Sequence, residues 1–267
     1  MSSNAMLNIA VKAARAACTI ISRASENLDA IEVHSKAPSD FVSKVDVDCE
    51  SAIIEILQQA YPHHQILTEE RGIVGPAKSQ YQWVIDPLDG TTNFLHGFPQ
   101  YAVSIALKRD GEVVLAVVAD PVKDETFTAV RGQGAFLNGR RIRVTRRTMM
   151  KDALIGVGFP FRRNDDVETY TATFAQLAKN CAGLRRAGAA SLDLAYVAAG
   201  RLDAFWEPNL QSWDIAAGSL LVLEAGGLVT DFDGEGNYLQ TGEIVAGTPK
   251  VFGQLLPVVR RNYKPAA

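Results

Sequence analysis

The segment WVIDPLDGTTNF, Trp83–Phe94, decides how this chain is read. A short apolar strand, YQWVID (81–86), runs straight into two aspartates, Asp86 and Asp89, three residues apart. Carboxylates desolvated without a partner are strongly destabilising, so an arginine, a lysine or a metal ion belongs beside them. Pro87 fixes its φ and bends the chain as it leaves the strand. The Asp-Pro-Leu-Asp spacing can bring both carboxylates into one volume. Gly90 permits close approach of backbone to a ligand, and Thr91 and Thr92 open a short helix whose free N–H groups suit a phosphate. One turn thus offers cation ligands beside an anion cradle, as a metal bridging to a phosphate requires. Glu69 and Glu70, ending the strand QILTEE (65–70), can add a third carboxylate. Hard oxygen ligands with no His or Cys point to Mg²⁺, or Mn²⁺, over zinc. On spacing alone another reading stands: aspartates of such turns often cap helices or face water, and Glu69–Glu70 can be a solvated strand end.

Composition sets the frame around that turn. The chain has 267 residues, enough for one large domain or two small ones. Its 47% hydrophobic and 21% charged residues are ordinary for a globular protein, and a net charge of −3 gives no global attraction to nucleic acid. Cys18, Cys49 and Cys181 are odd in number and far apart, which fits a reducing cytoplasm. No CxxC pair or HExxH arrangement is present. The opening MSSNAM reads as an expression remnant before Met6, and residues 1–6 are set aside. LNIAVKAARAACTII, interrupted by Lys12 and Arg15, reads as an amphipathic helix over 7–27, neither a signal peptide nor a membrane span.

Downstream, the periodicity predicts a helix over 45–61 closed by Pro62. An antiparallel meander follows over 101–142, with turns at RDGE, DPVKDE and LNGR. Beyond about residue 151, strands and helices alternate: ALIGVGF, VETYTATFAQLAKNC, GLRRAG, AASLDLAYVAAG, LDAFWE, SWDIAAGSLLVLEAGG, LVTDF, EIVAG and a last helix PKVFGQLLPVVRRN. A meander followed by alternation predicts two layered subdomains with a cleft between them.

DPLDGTTNF resembles the metal-binding signature of the inositol monophosphatase family, and WDIAAGSLLVLEAGG (213–227) resembles its second signature. TEER (68–71), DFVSKVD (40–46) and GAASLDLAYVAAGRLDAFWE (188–207) are also similar to that family, in the same order, from Leu7 to the last helix. The nearest likeness is to the bacterial SuhB-type branch. The resemblance implies an α+β fold, the layered αβαβα sugar-phosphatase architecture. An N-terminal α+β subdomain (7–150) with an antiparallel sheet would carry the metal site, and a C-terminal α/β subdomain (151–267) would complete it. It implies a Mg²⁺-dependent, Li⁺-inhibited phosphomonoesterase with two or three ions and a small phosphorylated polyol as substrate. Glu69, Asp86, Asp89, Asp214 and the Leu88 carbonyl would be metal ligands. Glu69, Thr91 and Asp46 would serve catalysis, Glu69 and Thr91 by orienting the attacking water. Asp89, Gly90, Thr91, Gly188, Ala189, Ala190, Glu207 and Asp214 would contact substrate. Without the resemblance, Glu207 reads as a surface acid at a strand end. Fructose-1,6-bisphosphate or 3′-phosphoadenosine 5′-phosphate, substrates of relatives, are alternatives to inositol monophosphate. A homodimer is implied, and the branch is associated with antitermination through RNA polymerase and Nus-type factors.

Arg71, beside the two glutamates, is expected to point outward, which leaves only a third metal in question. DFDGEGNYLQTG (231–242) imitates a calcium loop, but Gly242 stands where the closing glutamate belongs, and a turn is expected. GQGAFLNG follows an antiparallel strand and misses a dinucleotide fingerprint. GRRIRVTRRTMMK (139–151) reads as an edge strand with Ile142 and Val144 inward and arginines in water, or as a surface for an acidic protein or RNA. Arg185 and Arg186 could serve a dimer or partner face.

Overall fold

The computed structural model describes residues 3–28, 31, 33–37, 40–159 and 166–263. Helices α1 (Ser3–Ser25) and α2 (Lys44–Ala60) lie against an eight-stranded sheet. A small antiparallel pair, β1 (Val33–Ala37) and β2 (Asp40–Ser43), precedes α2. The large sheet contains β3 (Gln65–Thr68), β4 (Gly72–Val74), β5 (Tyr81–Asp89), β6 (Ala102–Arg109), β7 (Glu112–Asp120), β8 (Glu125–Val130), β9 (Gly134–Leu137) and β10 (Arg140–Ile142). Its order is β10-β9-β8-β7-β6-β5-β3-β4, antiparallel except for the β3–β5 pair. The signature ends in a single short helix of five residues, α3 (Thr91–Leu95).

The second sheet has order β12-β11-β13-β15-β14. It comprises β11 (Leu154–Val157), β12 (Gly183–Arg185), β13 (Ala204–Glu207), β14 (Leu228–Thr230) and β15 (Ile244–Gly247). β11 is parallel to both neighbours, whereas β15 runs antiparallel to β13 and β14, so this sheet is mixed. Helices α5 (Ala190–Ala198) and α6 (Ser212–Glu224) fill the space between the two sheets. Their Leu192, Leu194, Ile215 and Leu220 share one core with Val84, Ala116 and Phe127 of the large sheet and with Phe205 and Ala246 of the small one. Helices buried on all sides have apolar residues all round, as LDLAYVAA and IAAGSLLVL do. Outside the small sheet lie α4 (Val167–Ala178) and α8 (Pro249–Tyr263), with Trp206, Phe232 and Leu255 in their core. A short helix, α7 (Tyr238–Thr241), precedes β15. The layers run helix, sheet, helix, sheet, helix, as the resemblance implies.

Both ends of the first helix differ from the expected 7–27: it runs Ser3–Ser25. α1 begins at Ser3, and Met6, one of the residues set aside, is buried in the core between α1, α2 and the large sheet; residues 1 and 2 lie outside the described residues. Asn4–Ser25 is, by length and composition, apolar enough to cross a bilayer. Its packing makes it a core helix: Ala10, Ala13, Ala14, Ala17 and Ile21 form one fully buried stripe against α2 and the sheet. Small residues let α2 come close, and the Cys49 thiol reaches the Ala17 carbonyl at 3.6 Å.

Candidate active site

The site grows from an irregularity at the end of β5. The strand stays paired with β6 through Asp89, but the register slips between Asp86, opposite Ser104, and Asp89, opposite Ala102. In a regular strand, residues three apart point to opposite faces. The inserted residue, at Pro87–Leu88, is a bulge that re-aims the chain, and Asp86 and Asp89 line one cavity of about 220 Å³. The Asp86 carboxylate also accepts from the Leu88 N–H at 3.0 Å, which closes the bend. Gly90 follows at φ 94°, and a Cβ there would meet the Gln100 carbonyl at 2.9 Å and that of Gly188 at 3.3 Å. Only glycine combines that φ with that proximity.

Other elements bring the remaining groups. Glu69, past the end of β3, and Asp214, in the first turn of α6, line the same cavity. The loop after β3 is held by Glu50 of α2, which accepts from the Glu70 N–H at 3.0 Å and pairs with Arg71 Nε at 3.0 Å. Arg71 therefore turns from the cavity onto Glu50 and Ser51. The Thr91 hydroxyl lies 2.9 Å from Asp46 Oδ1 and 3.0 Å from the Leu88 carbonyl. Asp46 is fixed by its own helix start, its Oδ2 accepting from the Ser43 N–H at 2.8 Å and hydroxyl at 2.6 Å. It stands behind Thr91 and does not line the cavity. Ala189 is likewise in the core behind the cavity, whereas Gly188 and Ala190 line it with Glu207.

Several site residues carry no signal in the sequence alone. Ser191 donates to Asp89 Oδ2 from its N–H at 2.8 Å and its hydroxyl at 2.5 Å. The Asn93 amide donates to the carbonyls of Gln100 (2.7 Å) and Ala187 (2.9 Å), tying the signature turn to the loop before α5. Arg186, read above as a possible partner-face residue, is the one cation among the described residues lining the cavity. Asp193 lines it too, 2% exposed. The Asn93, Ser191 and Asp193 contacts join segments about a hundred residues apart or meet only in the folded cavity, which no local pattern encodes.

The electrostatics follow from crowding acids into a buried space. Burial, then the charges of Glu69, Asp89 and Asp214, pushes the Asp86 carboxyl well above the usual range. Burial pushes Asp89 up to about 6, against the hydrogen bonds from Ser191. Asp193 and Glu207 are raised by burial and by neighbouring acids, with Arg186 opposing in both. Among the described residues no three of these groups are grouped closely enough to hold a metal ion. Like charges repel, and carboxylates turn to donors of their own: Asp86 to Leu88, Asp89 to Ser191, and Asp214 to the Gln211 N–H at 2.7 Å. The donor chemistry nonetheless fits a hard divalent cation: oxygen atoms only, six acids lining one cavity, and a repulsion that a cation relieves.

The family model described as "Inositol monophosphatase family" matches residues 3–263. "Nus factor SuhB" of Pseudomonas aeruginosa is 54% identical over 265 residues, covering 98% of each chain. Extragenic suppressor protein suhB from Bartonella henselae superposes with a TM-score of 0.93 at 42% identity, over 98% of this chain and 100% of that one. Inositol monophosphatase from Anabaena (Nostoc) sp. PCC 7120 gives a TM-score of 0.86 at 36% identity, over 97% and 96%.

Proposed function

The chain belongs to the inositol monophosphatase family, in its SuhB-type branch, and we propose that it is a Mg²⁺-dependent phosphomonoesterase that hydrolyses a monophosphate of the myo-inositol 1-phosphate type. The observation that carries this reading is the convergence of Glu69, Asp86, Asp89 and Asp214 on one cavity, beside the turn at Gly90 and Thr91. Glu69, Asp86, Asp89, Asp214 and the Leu88 carbonyl would hold Mg²⁺, or Mn²⁺ in its place. Bound there, the metal supplies a water of lowered pKa and Lewis-acid stabilisation of the leaving oxygen. The chain's own groups do the rest. The N–H groups of Gly90 and Thr91 hold the phosphoryl oxygens. Thr91, fixed by Asp46, and Glu69 orient the water for in-line attack. Glu207, Gly188 and Ala190 receive the polyol, and Ser191 keeps Asp89 turned to its position. A third ion is compatible with Arg71, because Arg71 is engaged by Glu50.

The test is phosphate release from myo-inositol 1-phosphate with Mg²⁺, with and without Li⁺, for the unsubstituted protein and Asp89→Asn. The expected result is metal-dependent turnover, suppressed by Li⁺ and reduced by about 10³-fold in the variant. Absence of both turnover and Mg²⁺-induced thermal stabilisation would sink the enzymatic reading. We extend the proposal to a cytoplasmic homodimer, which sedimentation tests.

A second reading rests on the Pseudomonas relative, named a Nus factor. Arg140, Arg141, Arg143 and Arg146 stand exposed at and beyond the edge strand β10, with Ile142 and Val144 packed inward. This surface would contact RNA polymerase or a Nus-type factor. Arg147 is a poor probe of it, because its Nε pairs with Asp203 at 3.0 Å. Arg143→Glu with Arg146→Glu should abolish that binding and leave phosphatase turnover intact; unchanged binding would reject the reading.

A further inference from the structure

The cavity has an end that the metal-and-phosphate chemistry leaves unused. There β11 runs out through Gly156-Val157-Gly158, and Gly158 makes room for an acid. A Cβ on Gly158 would fall 1.7 Å from the Glu207 carboxyl carbon, and one on Gly156 would lie 3.6 Å from the Asp193 carboxyl carbon. Asp193 sits in the first turn of α5, is 2% exposed and lines the cavity. Its Oδ1 is fully buried with no hydrogen-bond donor among the described residues. Asp89, by contrast, takes two donors from Ser191 on the same helix. Arg186 supplies the nearby positive charge.

A buried acceptor left without a donor is destabilising, and sites that keep one gain most when a ligand hydroxyl fills the gap. We propose that Asp193 is a specificity-determining residue, which together with Glu207 accepts hydrogen bonds from hydroxyl groups of a polyol phosphate and so selects polyol esters over phosphate esters that lack neighbouring hydroxyls. The proposal rests on the phosphatase reading above and adds to it a second carboxyl at the polyol end. Glycine at 158 is then the condition for housing Glu207 at this end of the cavity.

The experiment compares myo-inositol 1-phosphate with p-nitrophenyl phosphate for the unsubstituted protein, Asp193→Ala and the isosteric Asp193→Asn, with Mg²⁺ at saturation. In Asp193→Ala, kcat/KM for the inositol ester is expected to fall roughly 30-fold, chiefly through KM. For the aryl ester the fall should be under about threefold on the same grounds. Asn keeps one acceptor oxygen and should restore part of the loss. An equal loss on both esters, or no loss on the inositol ester, overturns the proposal. Calorimetric binding of myo-inositol to the Mg²⁺-loaded protein provides a readout independent of turnover. If the unsubstituted protein hydrolyses neither ester, the phosphatase reading fails. The role of Asp193 then stands if Asp193→Asn weakens inositol binding, and falls if binding is unchanged or the unsubstituted protein binds no inositol.

Discussion

Gly158 shows how tightly single residues are committed around the cavity. The space a methyl group would take is already held by Glu207, itself 8% exposed in β13. Gly158→Ala should therefore displace Glu207, destabilising the protein by about 2 kcal/mol in chemical denaturation and lowering turnover of the polyol ester. Ser191 acts more gently. Its hydroxyl and N–H both hold Asp89, so Ser191→Ala leaves one donor in place. The expected outcome is a roughly 10-fold weaker apparent Mg²⁺ affinity in a Mg²⁺ titration, with little change in melting temperature. Neither residue stands out in the sequence. Asp86, Asp89 and Gly90 do, because a charged turn behind an apolar strand is a local pattern.

At the scale of elements, the site depends on how loops are tied to the two sheets. Asp203, 3% exposed immediately before β13, accepts from the Thr145 hydroxyl (2.6 Å), Arg147 Nε (3.0 Å) and the Leu154 N–H (2.8 Å). Its own backbone carbonyl accepts from the Thr248 N–H at 2.9 Å. The basic segment is thus sewn to the second sheet along one margin. Asp203→Ala would strand three donors and should cost about 2–4 kcal/mol in denaturant unfolding. The alternation of Ile142 and Val144 with exposed arginines is legible in the sequence, but this junction is not, because Asp203 lies 56 residues away from Arg147. The first half of the imitation calcium loop resolves as a turn, with Asp231 Oδ1 accepting from the N–H groups of Asp233 (3.0 Å) and Glu235 (2.7 Å), whereas its second half forms α7. Local composition was enough to read the turn, but not the helix that follows it.

Across the whole molecule, the buried acids couple folding to protons and to metal. Asp89 is raised from 3.8 to about 6, and Asp86, Asp193 and Glu207 move in the same direction. The folded protein then binds protons more tightly than the unfolded chain does, so stability falls as pH rises from about 4 through 6 and beyond. In EDTA, the melting temperature should drop by roughly 5 °C across that range. Added Mg²⁺ should reverse the trend, its stabilisation growing with pH as protons cease to compete. A metal-free protein whose stability is flat or rising between pH 4 and 6 would contradict this picture of the cavity. The layered architecture makes the coupling global: α5 and α6 carry Asp193 and Asp214 and also fill the core shared by both sheets.

The sequence by itself determined most of the elements, their order and the acidic turn, because hydrophobic period, turn chemistry and the Asp-Pro-Leu-Asp-Gly spacing are all local, whereas the short β1, β2, β4 and α7 carry too little pattern to be read. It also carried two signatures whose family resemblance foretold the layered fold. The tertiary structure alone decided which acids share a cavity, since Glu69, Asp89 and Asp214 reach it from separate elements and a one-residue bulge sets the facing of the central pair. It alone placed Arg186 in the cavity and Arg71 on Glu50, and set Asp46 and Ala189 behind the wall. A side chain's direction and partners depend on packing between distant segments, and that information exists only once the sheets and helices have closed around one another.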